Sequence, residues 1–211
     1  MLRSAEAMHA YLIDQVNHML RRLAMYGGEP ALWTIFHHLF FLEDADNGMA
    51  DLHESWRARN AFTPTGVKGA LQRHLPENLH SALPSMYAEA ARQRGWLTMD
   101  RALTADEYTS LRAAIDTFVA QDRGWDDVVA AFGPPSVLFG STNPWYEKTL
   151  AYATANKSDP MVFFHLWTDW ETRPRDAGPI LLAVRSGVGP FAATFSFTPE
   201  GIRRRPPEDE C

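Results

Sequence analysis

Residues 124–140 read GWDDVVAAFGPPSVLFG, and this stretch decides the fold. Its first part is typical of a short helix from Trp125 to Phe132, with acidic residues at the start, where the helix dipole favours them. Gly133-Pro134-Pro135 ends that helix, because proline cannot continue it. From there to Phe197 the hydrophobic period changes from 3.6 to 2 residues, which indicates strands.

The predicted strands are short apolar runs whose connecting turns are rich in Pro, Gly, Asn and Asp, as antiparallel neighbours require. They are Val137–Gly140, Lys148–Thr154, Met161–Trp167, Ile180–Ser186 and Ala193–Thr198. Successive side chains of a strand point to opposite faces. In the third strand, one face therefore receives Val162, Phe164 and Leu166, and the other receives Met161, Phe163, His165 and Trp167.

The residues before this stretch are predicted to be helical. Apolar residues from Met8 to Leu23 recur at spacings of three and four, with Ser4 as N-cap. Thr104 and Glu107 form a capping-box pattern at the start of a later helix. We therefore predict an α+β fold, in which a helical N-terminal half packs on a C-terminal antiparallel β-meander of four to five strands.

The predicted organisation has three parts. Residues 1–123 form a helical region, residues 124–200 form a helix plus the sheet, and residues 201–211 form a disordered tail. One continuous domain remains the alternative. The oligomeric state is not predicted.

Composition and charge exclude several classes of function. The chain has 20 Lys and Arg against 26 Asp and Glu, a formal net charge of -6, so its acidic surface is expected to repel nucleic acid. Its single cysteine, Cys211, cannot form a disulfide within the chain, which favours a cytoplasmic location. No window approaches the roughly 18 apolar residues of a membrane span. We predict no nucleic-acid partner and no membrane insertion.

Residues 124–136 carry a resemblance to known modules. This helix and its Gly-x-Pro-Ser turn resemble the segment that leads into the sheet of β-lactamase-inhibitor proteins and of related outer-membrane-assembly lipoproteins. The resemblance implies a helix-plus-meander architecture, and it favours protein binding over catalysis.

Two pairs of residues have the spacing of metal ligands in di-iron helical bundles. They are Glu6-x-x-His9 and Glu77-x-x-His80. His9 falls on the polar side of its helix, and His80 lies in a region broken by prolines. A metal-dependent bundle enzyme is therefore the third-ranked hypothesis, and we predict no metal and no cofactor.

The candidate site residues lie in the sheet half of the chain. The loop after the first strand is rich in hydrogen-bonding and aromatic groups, as binding loops often are. The face of the sheet that receives Phe163, His165 and Trp167, here called the second face, combines aromatic and basic side chains. The predicted binding residues are Asn143, Trp145, Tyr146, Lys148, Phe163, Trp167 and Arg185. His165 is the single candidate for catalysis, because it is the only histidine in this half.

Two interpretations of that second face lead to two functions. If helices cover it, His165 is a packing residue and the chain is a non-catalytic cytoplasmic protein-binding module, such as a regulator, an inhibitor or an immunity-type protein. If the face or its rim is open, it is an aromatic–cationic groove for a partner or a ligand, and the rival function is a small-molecule enzyme with a pocket between the helical and sheet halves. His165 would then be the acid–base, and Arg185 or Lys148 would hold an anion. The covered face is favoured, because a large exposed aromatic patch without a partner would reduce solubility. Whether the chain is an enzyme stays open.

Overall fold

A computed structural model of the protein describes residues 4–171 and 178–207. Helices form the N-terminal half, and a sheet forms most of the C-terminal half. The helices are α1 (Ala5–Arg21), α2 (Gly28–Leu42), α3 (Gly48–Ala58), α4 (Gly66–Gln72), α5 (Pro84–Arg94), α6 (Ala105–Val119), α7 (Trp125–Phe132) and α8 (Pro199–Arg204). The strands are β1 (Val137–Gly140), β2 (Lys148–Tyr152), β3 (Val162–Trp167), β4 (Ile180–Ser186) and β5 (Phe195–Phe197). Within the described ranges, no helix combines the length and apolar character that crossing a membrane would need.

Capping residues set the helix ends that the sequence predicts. The Ser4 hydroxyl accepts a hydrogen bond of 3.1 Å from the N–H of Ala7 and so begins α1. Thr104 and Glu107 form the complete capping box of α6. Gly95, with φ of 82°, ends α5 in the left-handed conformation that glycine adopts without strain. The two predicted helix starts, at Ser4 and Thr104, are confirmed.

The sheet is a meander with strand order β1-β2-β3-β4-β5, and every neighbouring pair is antiparallel. Thr149 of β2 lies opposite His165 of β3, which lies opposite Ala183 of β4. An irregularity between His165 and Leu166 shifts the register of β3 against β4. The predicted α+β class, with its change from helices to an antiparallel sheet at Pro135, is confirmed.

Helices cover both faces of the sheet. Residues of α6 and α7, such as Leu111 and Val128, share one apolar cluster with Phe164 of β3. On the opposite face, helices of the N-terminal half share a second cluster with Phe163 and Trp167. All six residues of β3 are therefore buried, and the predicted alternation of its side chains between two faces is confirmed.

The predicted disordered tail is wrong at its start, because residues 199–204 form α8. The Thr198 hydroxyl accepts a hydrogen bond of 3.1 Å from the N–H of Gly201 and begins this helix. Gly201 packs so closely on β4 that an added Cβ would lie 1.8 Å from the carbonyl oxygen of Leu182. Residues 208–211 lie outside the described part of the chain.

Candidate functional site

The candidate catalytic histidine lies in the interior. His165 is 0% exposed, and its Nδ1 lies 3.0 Å from the hydroxyl of Thr149. Its ring stacks with those of Phe163 and Phe195, while Nε2 has no hydrogen-bond partner among the described residues. Burial, assisted by the charge of Arg185, lowers the pKa of His165 well below its usual value. A neutral, enclosed imidazole is out of reach of a substrate.

The other side chains of this face hold the sheet to the helices. Arg185 is 0% exposed and donates to the Glu89 carboxylate at 3.0 Å and to the Ser85 hydroxyl at 3.2 Å. Its guanidinium carbon lies 4.5 Å from the centroid of the Phe163 ring. The indole of Trp167 donates to Asn78 at 2.7 Å. The predicted second face therefore exists, but it is covered, and Arg185 is paired with a carboxylate of the protein itself.

Lys148 does not share this face, so its predicted grouping with His165 and Arg185 is wrong. Thr149, the next residue, points toward His165, and adjacent residues of a strand point to opposite faces. The Lys148 ammonium lies 3.6 Å from the centroid of the Trp125 ring and donates to the Asn143 carbonyl at 2.6 Å. Burial lowers its pKa to about 8. Lys148 thus fixes the loop that follows β1.

That loop, residues 141–147, presents its aromatic side chains to the surface as predicted. Trp145 is 42% exposed and Tyr146 is 48% exposed. The side chain of Asn143 accepts from the N–H of Trp145 at 3.0 Å, which stabilises the turn. Trp170, from the connection after β3, is 45% exposed, and its ring centroid lies 5.1 Å from that of Tyr146. Sequence reasoning missed Trp170.

A cleft opens beside this loop, between the helical and sheet halves. It measures about 290 Å³ and is bounded by the turn after α1, the turn before α5 and the loop after β1. Its apolar walls come from Leu23, Ala24, Met25, Pro84 and Tyr146. We call it the Glu147 cleft, after the carboxylate that lines it.

The polar groups of the Glu147 cleft are incompletely paired. Burial raises the pKa of Glu147 to about 7, although the N–H groups of Ser81 and His80 lower it in part. Glu147 Oε2 and the Ser81 hydroxyl have no hydrogen-bond partner among the described residues. Arg22 also lines the cleft; its guanidinium donates to the carbonyl of Gly140 and lies 3.4 Å from the hydroxyl of Thr142. Sequence reasoning did not anticipate this cleft.

The histidine pairs do not assemble a metal centre. Across residues 4–171 and 178–207, no three His, Cys, Asp or Glu side chains are grouped so that they could hold a metal ion. His9 lies 2.9 Å from the Glu43 carboxylate, and His80 is exposed at the edge of the Glu147 cleft.

Comparison with known proteins identifies no relative of the chain. No family model matches the chain, and neither a curated protein nor a solved structure is significantly similar to it. The resemblance of residues 124–136 to inhibitor-like modules therefore stays a prediction.

Proposed function

We propose that the protein is a non-catalytic protein-binding module. One observation carries this proposal: four exposed large apolar side chains lie at the Glu147 cleft, which Met25 and Tyr146 line, and at the neighbouring depression, which Trp145, Tyr146 and Trp170 line. They are Met25, Trp145, Tyr146 and Trp170, with exposed fractions of 78%, 42%, 48% and 45%. We call these four residues, three of them aromatic and one a methionine, the aromatic rim.

Two properties of the aromatic rim support protein binding. Tryptophan and tyrosine are enriched among the residues that contribute most to protein–protein affinity. The loop is also held by Lys148 and Asn143, so little conformational freedom is lost when a partner binds. The enzyme alternative has less support, because its acid–base residue, His165, is enclosed.

The proposal is tested with a variant that shortens three rim residues, Trp145→Ala, Tyr146→Ala and Trp170→Ala. A partner identified by affinity purification is itself purified, and its dissociation constant is measured by calorimetry. We expect the variant to bind at least 100-fold more weakly, because each anchoring ring contributes about 2 kcal/mol. The control variant is Phe41→Ala with Val188→Ala, which removes exposed apolar side chains outside the rim. Equal affinity of the rim variant and the wild type would contradict the proposal.

A further inference from the structure

The Glu147 cleft contains hydrogen-bond acceptors that lack a donor. Glu147 and Ser81, a residue only 5% exposed, line the cleft, and Glu147 Oε2 and the Ser81 hydroxyl are buried in its wall without a hydrogen-bond partner among the described residues. No ion pair joins Glu147 to a Lys, Arg or His in the described ranges, although Arg22 and His80 also line the cleft. A buried carboxylate without a counter-ion is costly. The cleft therefore favours a ligand that brings a positive charge and several donors.

The apolar walls and the volume of the cleft restrict the kind of positively charged ligand that fits it. The walls are apolar, so a ligand with an apolar stem gains by lining them. A volume of about 290 Å³ falls at the lower limit of small-molecule sites, which span about 300–1,000 Å³. The cleft is thus suited to one long side chain rather than to a cofactor.

The carboxylate geometry favours an ammonium group over a guanidinium group. Of the two Glu147 carboxylate oxygens, Oε2 has no hydrogen-bond partner among the described residues. A guanidinium group binds best to two coplanar oxygens, whereas an ammonium group is a point charge with three donors that can be shared among separate acceptors. Glu147 Oε2 and the Ser81 hydroxyl are two such acceptors.

We propose that the Glu147 cleft binds a lysine side chain of the protein partner, with the ammonium group at Glu147 and Ser81 and the methylene stem against Leu23, Met25 and Tyr146. This inference rests on the proposed function, because Met25 and Tyr146 belong both to the cleft and to the aromatic rim. A lysine stem buries its methylenes along apolar surface while its charge reaches a polar group. The net charge of -6 also attracts basic partners.

The test uses two short peptides that differ only in the ammonium group. Acetyl-Gly-Lys-Gly-amide and acetyl-Gly-norleucine-Gly-amide are titrated into the full chain, and binding is followed by chemical-shift changes in NMR spectra. We expect the lysine peptide to bind with a dissociation constant in the millimolar range, and the norleucine peptide at least tenfold more weakly. Glu147→Gln is expected to weaken the lysine peptide about tenfold, which is about 1.4 kcal/mol. The matched control is Glu77→Gln, which neutralises a carboxylate that is 81% exposed and should leave binding unchanged.

Further measurements separate the alternatives. n-Butylamine serves as a free amine, and its binding tenfold more tightly than the lysine peptide would overturn the assignment to a protein side chain. Binding of the lysine peptide should strengthen from pH 6 to pH 8 as Glu147 ionises. Arg22, His80 and Tyr146 also line the cleft. His80→Gln should therefore keep the pH dependence, and Glu147→Gln should lose it.

Equal binding of the two peptides, or undiminished binding to Glu147→Gln, would overturn the inference. These results are distinguishable from failure of the proposed function. The proposed protein-binding function is wrong if the rim variant still binds the partner. The proposed lysine site is wrong if the rim variant loses the partner but Glu147→Gln binds it as the wild type does.

Discussion

The imidazole of His165 is enclosed by aromatic rings and held by one hydroxyl, so burial decides its protonation state. Its pKa in the folded protein lies well below the usual 6.5, whereas the unfolded chain takes up a proton near that value. The folded state therefore binds fewer protons. The contribution of neutral His165 to the free energy of unfolding is fully present above about pH 6.5. It is lost as the pH falls through the acidic range, at up to about 1.4 kcal/mol per pH unit.

Replacing His165 with glutamine tests this description. At pH 8 we expect His165→Gln to lower the free energy of unfolding by about 1–3 kcal/mol, because the glutamine leaves buried polar atoms poorly paired. Between pH 7 and pH 5.5 the difference from the wild type should shrink by about 1 kcal/mol, since the variant lacks the titrating ring. Urea unfolding at several pH values measures both effects, with His18→Gln, at an exposed site, as the control. A difference that is constant with pH would contradict the burial argument.

At the scale of elements, β1 and β4 have the predicted bounds because Pro, Gly and Asn mark their ends in the sequence. The last helix, α8, escaped prediction for a tertiary reason. Half of residues 199–204 are charged and one is a glycine, a composition typical of a tail. The Thr198 cap and the close approach of Gly201 to the backbone of Leu182 hold them in place, and no local pattern reports the second contact.

Gly201→Ala should therefore destabilise the protein although alanine favours helices. The added methyl group would overlap the Leu182 carbonyl, so α8 or β4 must shift, at a cost of about 1–3 kcal/mol. Gly189→Ala is the matched control, because no atom lies within 4 Å of its added Cβ, and it should change stability by less than about 0.5 kcal/mol. Both values come from urea unfolding. Equal stabilities of the two variants would show that α8 can move without cost.

At the scale of the whole molecule, the pair formed by Arg185 and Glu89 joins α5 to the sheet. Glu89→Ala leaves a fully buried guanidinium without its carboxylate, and we expect it to lower the free energy of unfolding by about 3–5 kcal/mol. Adding Arg185→Met should recover part of that loss, because it removes the unpaired charge. Glu77→Ala, which breaks an exposed pair with Lys68, should cost less than about 1 kcal/mol. A small effect of Glu89→Ala would mean that water reaches Arg185.

The candidate site was only partly predictable because it is assembled from distant segments. The exposed loop could be recognised from Asn143-Pro144 and the aromatic residues that follow it. By contrast, Arg22, Ser81 and Glu147 lie far apart in the sequence. Only the fold places them around one cleft. Likewise, the alternation of β3 predicted two faces, but it could not tell that helices cover both of them.

The position of Arg22 limits the ways in which another protein can attach. β1 is an outer strand of the sheet, and such strands can recruit an extended foreign segment through main-chain hydrogen bonds. Here the guanidinium of Arg22 donates a hydrogen bond to the carbonyl of Gly140, and α1 lies against the strand. Main-chain recruitment at this end of β1 is thereby blocked. At this end of β1, the proposed partner would therefore be recognised through its side chains, and its selection there would depend on its amino-acid sequence rather than on its backbone.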